Sequence, residues 1–210
     1  MEYYDESWEK QWFLLQERYQ LNALQLQKFM QFAALLQHES ALYNLTKITA
    51  IPDIITYHFT DSLAIGAMLS MSAVRSCIDV GSGAGFPGVP LAIAYPDCMV
   101  GLLEVTEKRQ QFLRQVIELV VLPQVHVMPY DWRTWLRITT EPVDLVVARA
   151  SVHTEELVRM FQPSSIQRHS KCVYWASDNW LPSPKEERYV QQIHAYTVGD
   201  KKRKLVLFSV

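Results

Sequence analysis

Cysteine is rare in this chain, and no two cysteines are spaced for shared chemistry. Cys77, Cys98 and Cys172 are scattered, odd in number and without CxxC spacing. That excludes a disulfide framework, argues against a zinc site and points to a reducing compartment. The histidines lack metal-ligand spacing too, so no metal is expected. No apolar run approaches the ~18 residues a membrane span needs. The acidic, aromatic start Met1-Glu2-Tyr3-Tyr4-Asp5-Glu6 does not have the form of a signal peptide, so the expected location is cytoplasmic. Neither sign of charge dominates: the net charge is −2 and the pI about 6.3. A polyanionic partner would therefore have to be met by a local patch rather than a global field. What remains has the balance of a globular chain, and 210 residues suffice for one domain with an extension.

Glycine is scarce as well, and its distribution is informative. Of seven glycines, four (Gly81, Gly83, Gly85 and Gly88) fall within Asp79-Val-Gly-Ser-Gly-Ala-Gly-Phe-Pro-Gly-Val-Pro90. The apolar run Cys77–Val80 before this stretch reads as a buried strand, and a helix can start near Pro87. A glycine-rich turn between strand and helix brings backbone within contact distance of a ligand. No Gly-x-x-x-x-Gly-Lys is present, and the dinucleotide fingerprint begun at Gly81 meets Phe86 where it needs glycine. The acidic-x-Gly-x-Gly-x-Gly spacing resembles motif I of class I S-adenosylmethionine-dependent methyltransferases. Such a site holds an amino acid and a nucleoside with no phosphate, and Phe86 would set apolar surface beside the ligand.

Residues 1–75 hold one glycine, Gly66, and one proline, Pro52. Trp8, Trp12, Leu15 and Tyr19 recur at helical spacing. Asn22 and Gln25 form a capping-box pattern ahead of a second helix with Phe29, Phe32, Ala33 and Leu36 on one face. A third helix is expected from Pro52 to about Leu69. Within it His58, Asp61 and Ser62 share a face, which spacing alone reads as a satisfied buried polar cluster.

Asn44-Leu45-Thr46, His58-x-x-Asp61-Ser62 and the glycine loop with its Phe-Pro-Gly-Val-Pro tail come in the order and spacing of a known family. They resemble the bacterial 16S ribosomal RNA guanine-N7 methyltransferases, small-subunit methyltransferase G, once called glucose-inhibited division protein B. The similarity continues through Leu102-Leu103-Glu104, Lys108-Arg109-x-x-Phe112-Leu113 and Asp144-x-Val146-x-Ala148-Arg149-Ala150, and it spans roughly residues 24–160. It implies S-adenosylmethionine as cofactor and 16S rRNA as partner, free or within a ribosomal subunit or assembly intermediate. It further implies RNA-side roles for Asn44, Thr46, His58, Asp61, Ser62 and Pro87.

Further along, Val100–Leu103 reads as a second strand ending at Glu104, an acid placed to accept from both ribose hydroxyls unless it is merely a surface charge. Glu107–Val120 is a helix and Val125–Met128 a third strand. In the resembling family the loop Pro129-Tyr130-Asp131-Trp132-Arg133 closes over the adenine, chiefly through backbone groups at Trp132 and Arg133. This chain has Asp131 where that family usually has Arg, and Arg133 where it has Glu. Asp131 is either a reader of the adenine amino group or a solvated charge.

Val143–Val147 is a fourth strand ending in Ala148-Arg149-Ala150-Ser151. The Asn/Asp-Pro-Pro-Tyr motif that polarises exocyclic amines is absent, and so is a cysteine pair for pyrimidine C5 attack. Guanine N7 needs neither, because its lone pair is free and attack releases no proton, so positioning suffices. Arg149 is the candidate positioning residue, holding cofactor or target, or else a salt-bridged strand-end arginine. Later elements are a helix over His153–Phe161, a fifth strand over Lys171–Trp175, a short helix opened by Pro182-Ser-Pro184, and a hairpin of Ile193–Val198 with Lys204–Phe208. The resembling family ends the fifth strand in Lys-Gly, where this chain has Ala176-Ser177. Lys201-Lys202-Arg203-Lys204 is a solvated turn or part of an RNA patch.

The sequence thus predicts an α/β fold of the class I, Rossmann-like methyltransferase kind. It is a doubly wound sheet (residues 76–210) under an N-terminal helical cap (residues 1–75), the two forming one compact unit. Cofactor contacts are expected from Asp79, Gly81, Gly83, Gly85, Phe86, Glu104, Asp131, Trp132, Arg133 and Arg149. The alternatives are a methyltransferase of the same lineage retargeted to another RNA or a small molecule, or a catalytically silent RNA-binding relative.

Overall fold

A computed structural model describes residues 6–210; the Met1–Asp5 stretch read above as no signal peptide lies outside them. Helix α1 (Glu6–Tyr19) leads to α2 (Ala23–Tyr43), and the expected capping box opens α2. Asn22 Oδ1 accepts from Gln25 N and Gln25 Oε1 from Asn22 N, both at 2.9 Å. The same Gln25 amide donates to the carbonyls of Ile93 and Ala94, tying the cap to a helix of the sheet layer. Asn44 ends α2 in the left-handed conformation (φ 52°), which asparagine tolerates better than most residues.

The single helix expected over Pro52–Leu69 is instead a broken series. It comprises α3 (Ile51–Ile54), a π segment (Ile55–Thr60), α4 (Asp61–Leu63) and a 3-10 turn (Ala64–Ala67). Within the π segment the Tyr57 carbonyl accepts from Arg149, 92 residues on, a tertiary contact of the kind that accompanies such irregular turns.

The sheet follows: β1 (Ser76–Val80), β2 (Met99–Leu103), β3 (Val125–Met128), β4 (Leu145–Arg149), β5 (Lys171–Ser177), β6 (Val190–Val198) and β7 (Lys201–Phe208). Their order is β3-β2-β1-β4-β5-β7-β6, with β7 antiparallel to both neighbours and the first five parallel. Helices α5 (Gly88–Ala94) and α6 (Glu107–Leu119) join the cap on one face, and α7 (Trp132–Ile138) and α8 (Thr154–Leu157) cover the other. Trp12, Phe29 and Phe59 of the cap share one apolar cluster with Phe86, Leu102 and Leu113. Phe59 alone lies 4.9 Å from Phe29, 5.6 Å from Phe32 and 6.1 Å from Phe86, ring to ring. Order reverses between β1 and β4, which opens a crevice at the carboxyl ends of these strands.

Three later expectations change. The helix over His153–Phe161 tightens into a 3-10 turn after α8, and the one expected at Pro182–Pro184 is replaced by a 3-10 turn at Glu187–Tyr189. Lys201–Lys204 lies within β7 rather than in a turn, and three of the four cations have internal partners. Lys201 sits 4.3 Å over the Tyr57 ring, Arg203 faces Asp61 at 3.5 Å, and Lys204 donates to the Trp180 carbonyl at 3.0 Å. No helix is long and apolar enough to cross a membrane among the described residues.

Candidate active site

A cavity of about 540 Å³ occupies the crevice, lined by the glycine loop, the ends of β2 and β4, Tyr130 to Trp132, and Leu45, Thr46 and His58 of the cap. Asp79 and the glycines build its floor, each differently. Asp79 is fully buried and its Oδ2 accepts from Gly88 N at 2.9 Å, while its Oδ1 has no hydrogen-bond partner among the described residues. Burial pushes its pKa up to about 7. A Cβ at Gly88 would strike Leu102 and lie 2.7 Å from that carboxylate, so this glycine makes room for Asp79 and Leu102. At Gly83 (φ +59°) an added Cβ meets nothing nearer than the Gly81 carbonyl at 3.9 Å and points into open space. Gly83 therefore has room on the cavity side, and its positive φ also favours glycine. Gly81 and Gly85 are kept bare for Ser151 and for Val89 with Leu113. Gly83-x-Gly85-x-x-Gly88 also has the dinucleotide spacing, yet its last glycine opens on protein.

Glu104, at the end of β2 and only 4% exposed, is not a surface charge. Its carboxylate accepts from Gly83 N at 3.0 Å and Thr106 N at 2.8 Å, and Arg109 stands 3.7 Å away. It bridges the loop to β2 across the floor, where a nucleoside's hydroxyls can reach it.

The cap wall centres on Arg149. Its guanidinium donates to Asp61 Oδ2 (3.0 Å), to the Tyr57 carbonyl (3.2 Å) and to His58 Nδ1 (3.0 Å), and lies 5.0 Å over the Phe86 ring. A guanidinium only donates, so His58 Nδ1 is the acceptor nitrogen. Nε2–H then donates to Thr46 Oγ1 at 3.1 Å. Burial, then Arg149, lowers the His58 pKa to about 3, so the ring is neutral, and it stacks on Phe86 at 4.2 Å. Behind Arg149 the fully buried Asp61 also accepts from Tyr196 Oη (2.6 Å) and faces Arg203 Nε (3.5 Å). Ser62 donates to the His58 carbonyl.

The structure thus divides the candidates. Gly81, Gly83, Phe86, Glu104, Asp131, Trp132, Arg149, Thr46 and His58 line the cavity. Asp79, Gly85 and Pro87 are buried in its support, and Asp61 and Ser62 sit behind it, as the buried-cluster reading had it. Asn44 is an exposed helix cap. Arg149 proves to be both salt-bridged and cavity-lining. The Asp131 carboxylate caps α7 through Thr134 N (2.7 Å), and the Arg133 side chain leaves the cavity to pair with Glu156 (2.9 Å). The buried Trp132 indole donates to the Glu156 carbonyl. Sequence reasoning missed Tyr57, Tyr196 and Arg203. Alternation along β7 was the available signal, since Arg203 shares a face with the buried Leu205.

This sheet, with a glycine loop after β1 and an acid after β2, is the class I S-adenosylmethionine-dependent methyltransferase fold. Solved structures agree on fold: mitomycin 7-O-methyltransferase MmcR (TM-score 0.55, 14% identity) covers 85% of this chain and 60% of its own. A mutant of MtNAS in complex with S-adenosylmethionine (TM-score 0.55, 14% identity) covers 98% of this chain and 80% of its own. Residues 25–196 match the family model described as rRNA small subunit methyltransferase G. The protein of that name from Lachnoclostridium phytofermentans is 37% identical over 192 residues, 90% of this chain and 77% of its own. That from Aster yellows witches'-broom phytoplasma is 32% identical over 149 residues, 71% of this chain and 70% of its own. The chain belongs to the rRNA small subunit methyltransferase G family.

Proposed function

We propose that this protein transfers the methyl group of S-adenosylmethionine to N7 of a guanine in 16S rRNA, in the cytoplasm. The cofactor supplies an electrophilic methyl on a sulfonium. Gly83 would leave room for it, Glu104 would accept from its ribose hydroxyls, and Tyr130 to Trp132 would flank its base. Thr46 and His58 would form the wall toward RNA. Residues 1–75 and 76–210 would work as one unit, because the cap supplies that wall.

The observation that carries the choice of N7 is that, among the described residues, each carboxylate and imidazole lining the cavity already has a protein partner, while Asp79 lies buried beneath the lining. His58 Nδ1 is occupied by Arg149 and its other nitrogen carries the proton. Glu104 is held by two backbone N–H groups and Asp131 by Thr134. An amine or hydroxyl target must lose a proton in the reaction, whereas N7 loses none. The test is to incubate deproteinised and subunit-bound 16S rRNA with labelled cofactor, then digest to nucleosides for mass spectrometry. N7-methylguanine is the expected product. Label on an exocyclic amine, on ribose or only on small molecules would overturn the proposal.

A further inference from the structure

Back to back with the cavity, across Asp131 and Trp132, lies a second hollow of about 500 Å³. Arg133, Arg137 and Arg159 line it, with Gln162, Ser164 and Ser165 as neutral polar groups and Asp131 as its one carboxylate among the described residues. The arginines are held open. Glu156 lies outside this lining and anchors Arg133 at 2.9 Å and Arg159 at 3.4 Å. Arg137 leans on Thr134 Oγ1 at 3.4 Å and forms no ion pair among the described residues. All three are exposed. Past Arg159 and Gln162 the band continues into a third hollow with Lys185 and Arg188. The two hollows together present five cations against three carboxylates, on a chain whose net charge is −2. Glu155 and Glu156 in this band already face cations.

A polyanion on an acidic protein needs such a local concentration of cations. Planar guanidiniums fit phosphate oxygens in pairs. The seryl hydroxyls and the Gln162 amide add neutral donors, which also suit phosphate. We propose that this groove between α7 and the turn after α8 binds backbone phosphates of the RNA whose guanine enters the cavity. The inference rests on RNA being the substrate and assigns a site outside the methyl-transfer cavity. Arg133, which the sequence placed over the cofactor, here belongs to the RNA side.

The probe is deproteinised 16S rRNA, titrated with wild type and with Arg137→Gln/Arg159→Gln at several salt concentrations. Both side chains are exposed, so the fold should be kept, and Arg137→Gln alone leaves the Glu156 contacts untouched. Loss of two phosphate contacts should lower the slope of log K against log salt by about 1.4 to 1.8. Affinity should fall about tenfold or more at fixed salt, and calorimetry should find S-adenosylmethionine binding unchanged. An unchanged slope in a wild-type-like fold overturns the inference while leaving N7 methylation standing. A parallel loss of cofactor affinity overturns it too, since the effect would then run through Trp132. If mononucleotide phosphate displaces the probe from wild type and double variant alike, the contacts lie elsewhere and the groove is refuted. Wild type that transfers no methyl to RNA removes the proposed function itself and this inference with it.

Discussion

Replacing Asp61 by Ala should cost as much stability as truncating one of the large buried side chains of the cap. Its carboxylate is fully buried and meets Arg149 at 3.0 Å, Tyr196 at 2.6 Å and Arg203 at 3.5 Å. Without it two guanidiniums, 12% and 26% exposed, face each other uncompensated. Breaking a buried pair from one side costs about 3–5 kcal/mol, a large share of the roughly 5–15 kcal/mol that holds a domain. Asp61→Asn should cost nearly as much, because the lost quantity is charge rather than volume. Adding Arg149→Met to Asp61→Asn should recover part of the loss, with a coupling of about 1–3 kcal/mol. The assay is urea unfolding at pH 7 of wild type, the single variants Asp61→Ala, Asp61→Asn and Arg149→Met, and the double variant Asp61→Asn/Arg149→Met. Additivity within about 0.5 kcal/mol, or an Asp61→Ala cost below about 1 kcal/mol, would refute the reasoning.

Gly83→Ala should cost about 1–2 kcal/mol of stability for a side chain at φ +59°, and should weaken S-adenosylmethionine at least tenfold by calorimetry. Gly81→Ala, which strikes Ser151, should lose more stability than that. Glu104→Gln should weaken the cofactor by about 1–3 kcal/mol, and an analogue lacking both ribose hydroxyls should bind wild type and variant alike. Asp79, with a folded pKa near 7, keeps a proton between pH ~4 and ~7 that the unfolded chain has lost, so it lowers stability as pH rises; His58, near 3 when folded, lowers stability as pH falls below 6.5. The two slopes oppose each other between pH ~4 and ~6.5, so urea unfolding of Asp79→Asn should reveal a loss of up to about 1.4 kcal/mol per pH unit on acidification; a flat profile in that variant would count against the His58 shift, and a profile unchanged from wild type against the Asp79 shift.

The local features of this fold were legible because each is written in neighbouring residues. Asn22 and Gln25 announce their own capping box, and the apolar runs at Cys77, Val100 and Val125 announce parallel strands. The clustering of Gly81, Gly83, Gly85 and Gly88 announces the turn. What each glycine is for was not legible, since Ser151, Val89 with Leu113, and Asp79 with Leu102 approach them from other elements. The π segment at Ile55–Thr60 was hidden for the same reason, because the partner of its Tyr57 carbonyl and His58 ring is the distant Arg149. His58, Asp61 and Ser62 were correctly placed on one face, but the partners that define them lie 91 and 135 residues away, at Arg149 and Tyr196. Arg133 shows the limit most clearly: its position beside Trp132 was right, and its direction was set by Glu156 on another helix.

Arg149 also explains how a cation can stand beside this reaction without opposing it. Methyl transfer from a sulfonium to a neutral ring nitrogen moves a positive charge and creates none. A wall with a strong unscreened cation would penalise cofactor and product alike, gaining nothing in the difference that sets the rate. The Arg149 charge is offset by Asp61 at 3.0 Å. Its donors turn toward the cap, and the His58–Phe86 stack carries no charge of its own. The cations proposed to hold RNA lie in a separate groove behind Trp132, where they can neutralise phosphates without entering the field of the transferring methyl. A polyanionic substrate and a cationic product make opposite demands on one protein. This arrangement meets them by distance, with a cavity wall of low net charge and a basic band outside it.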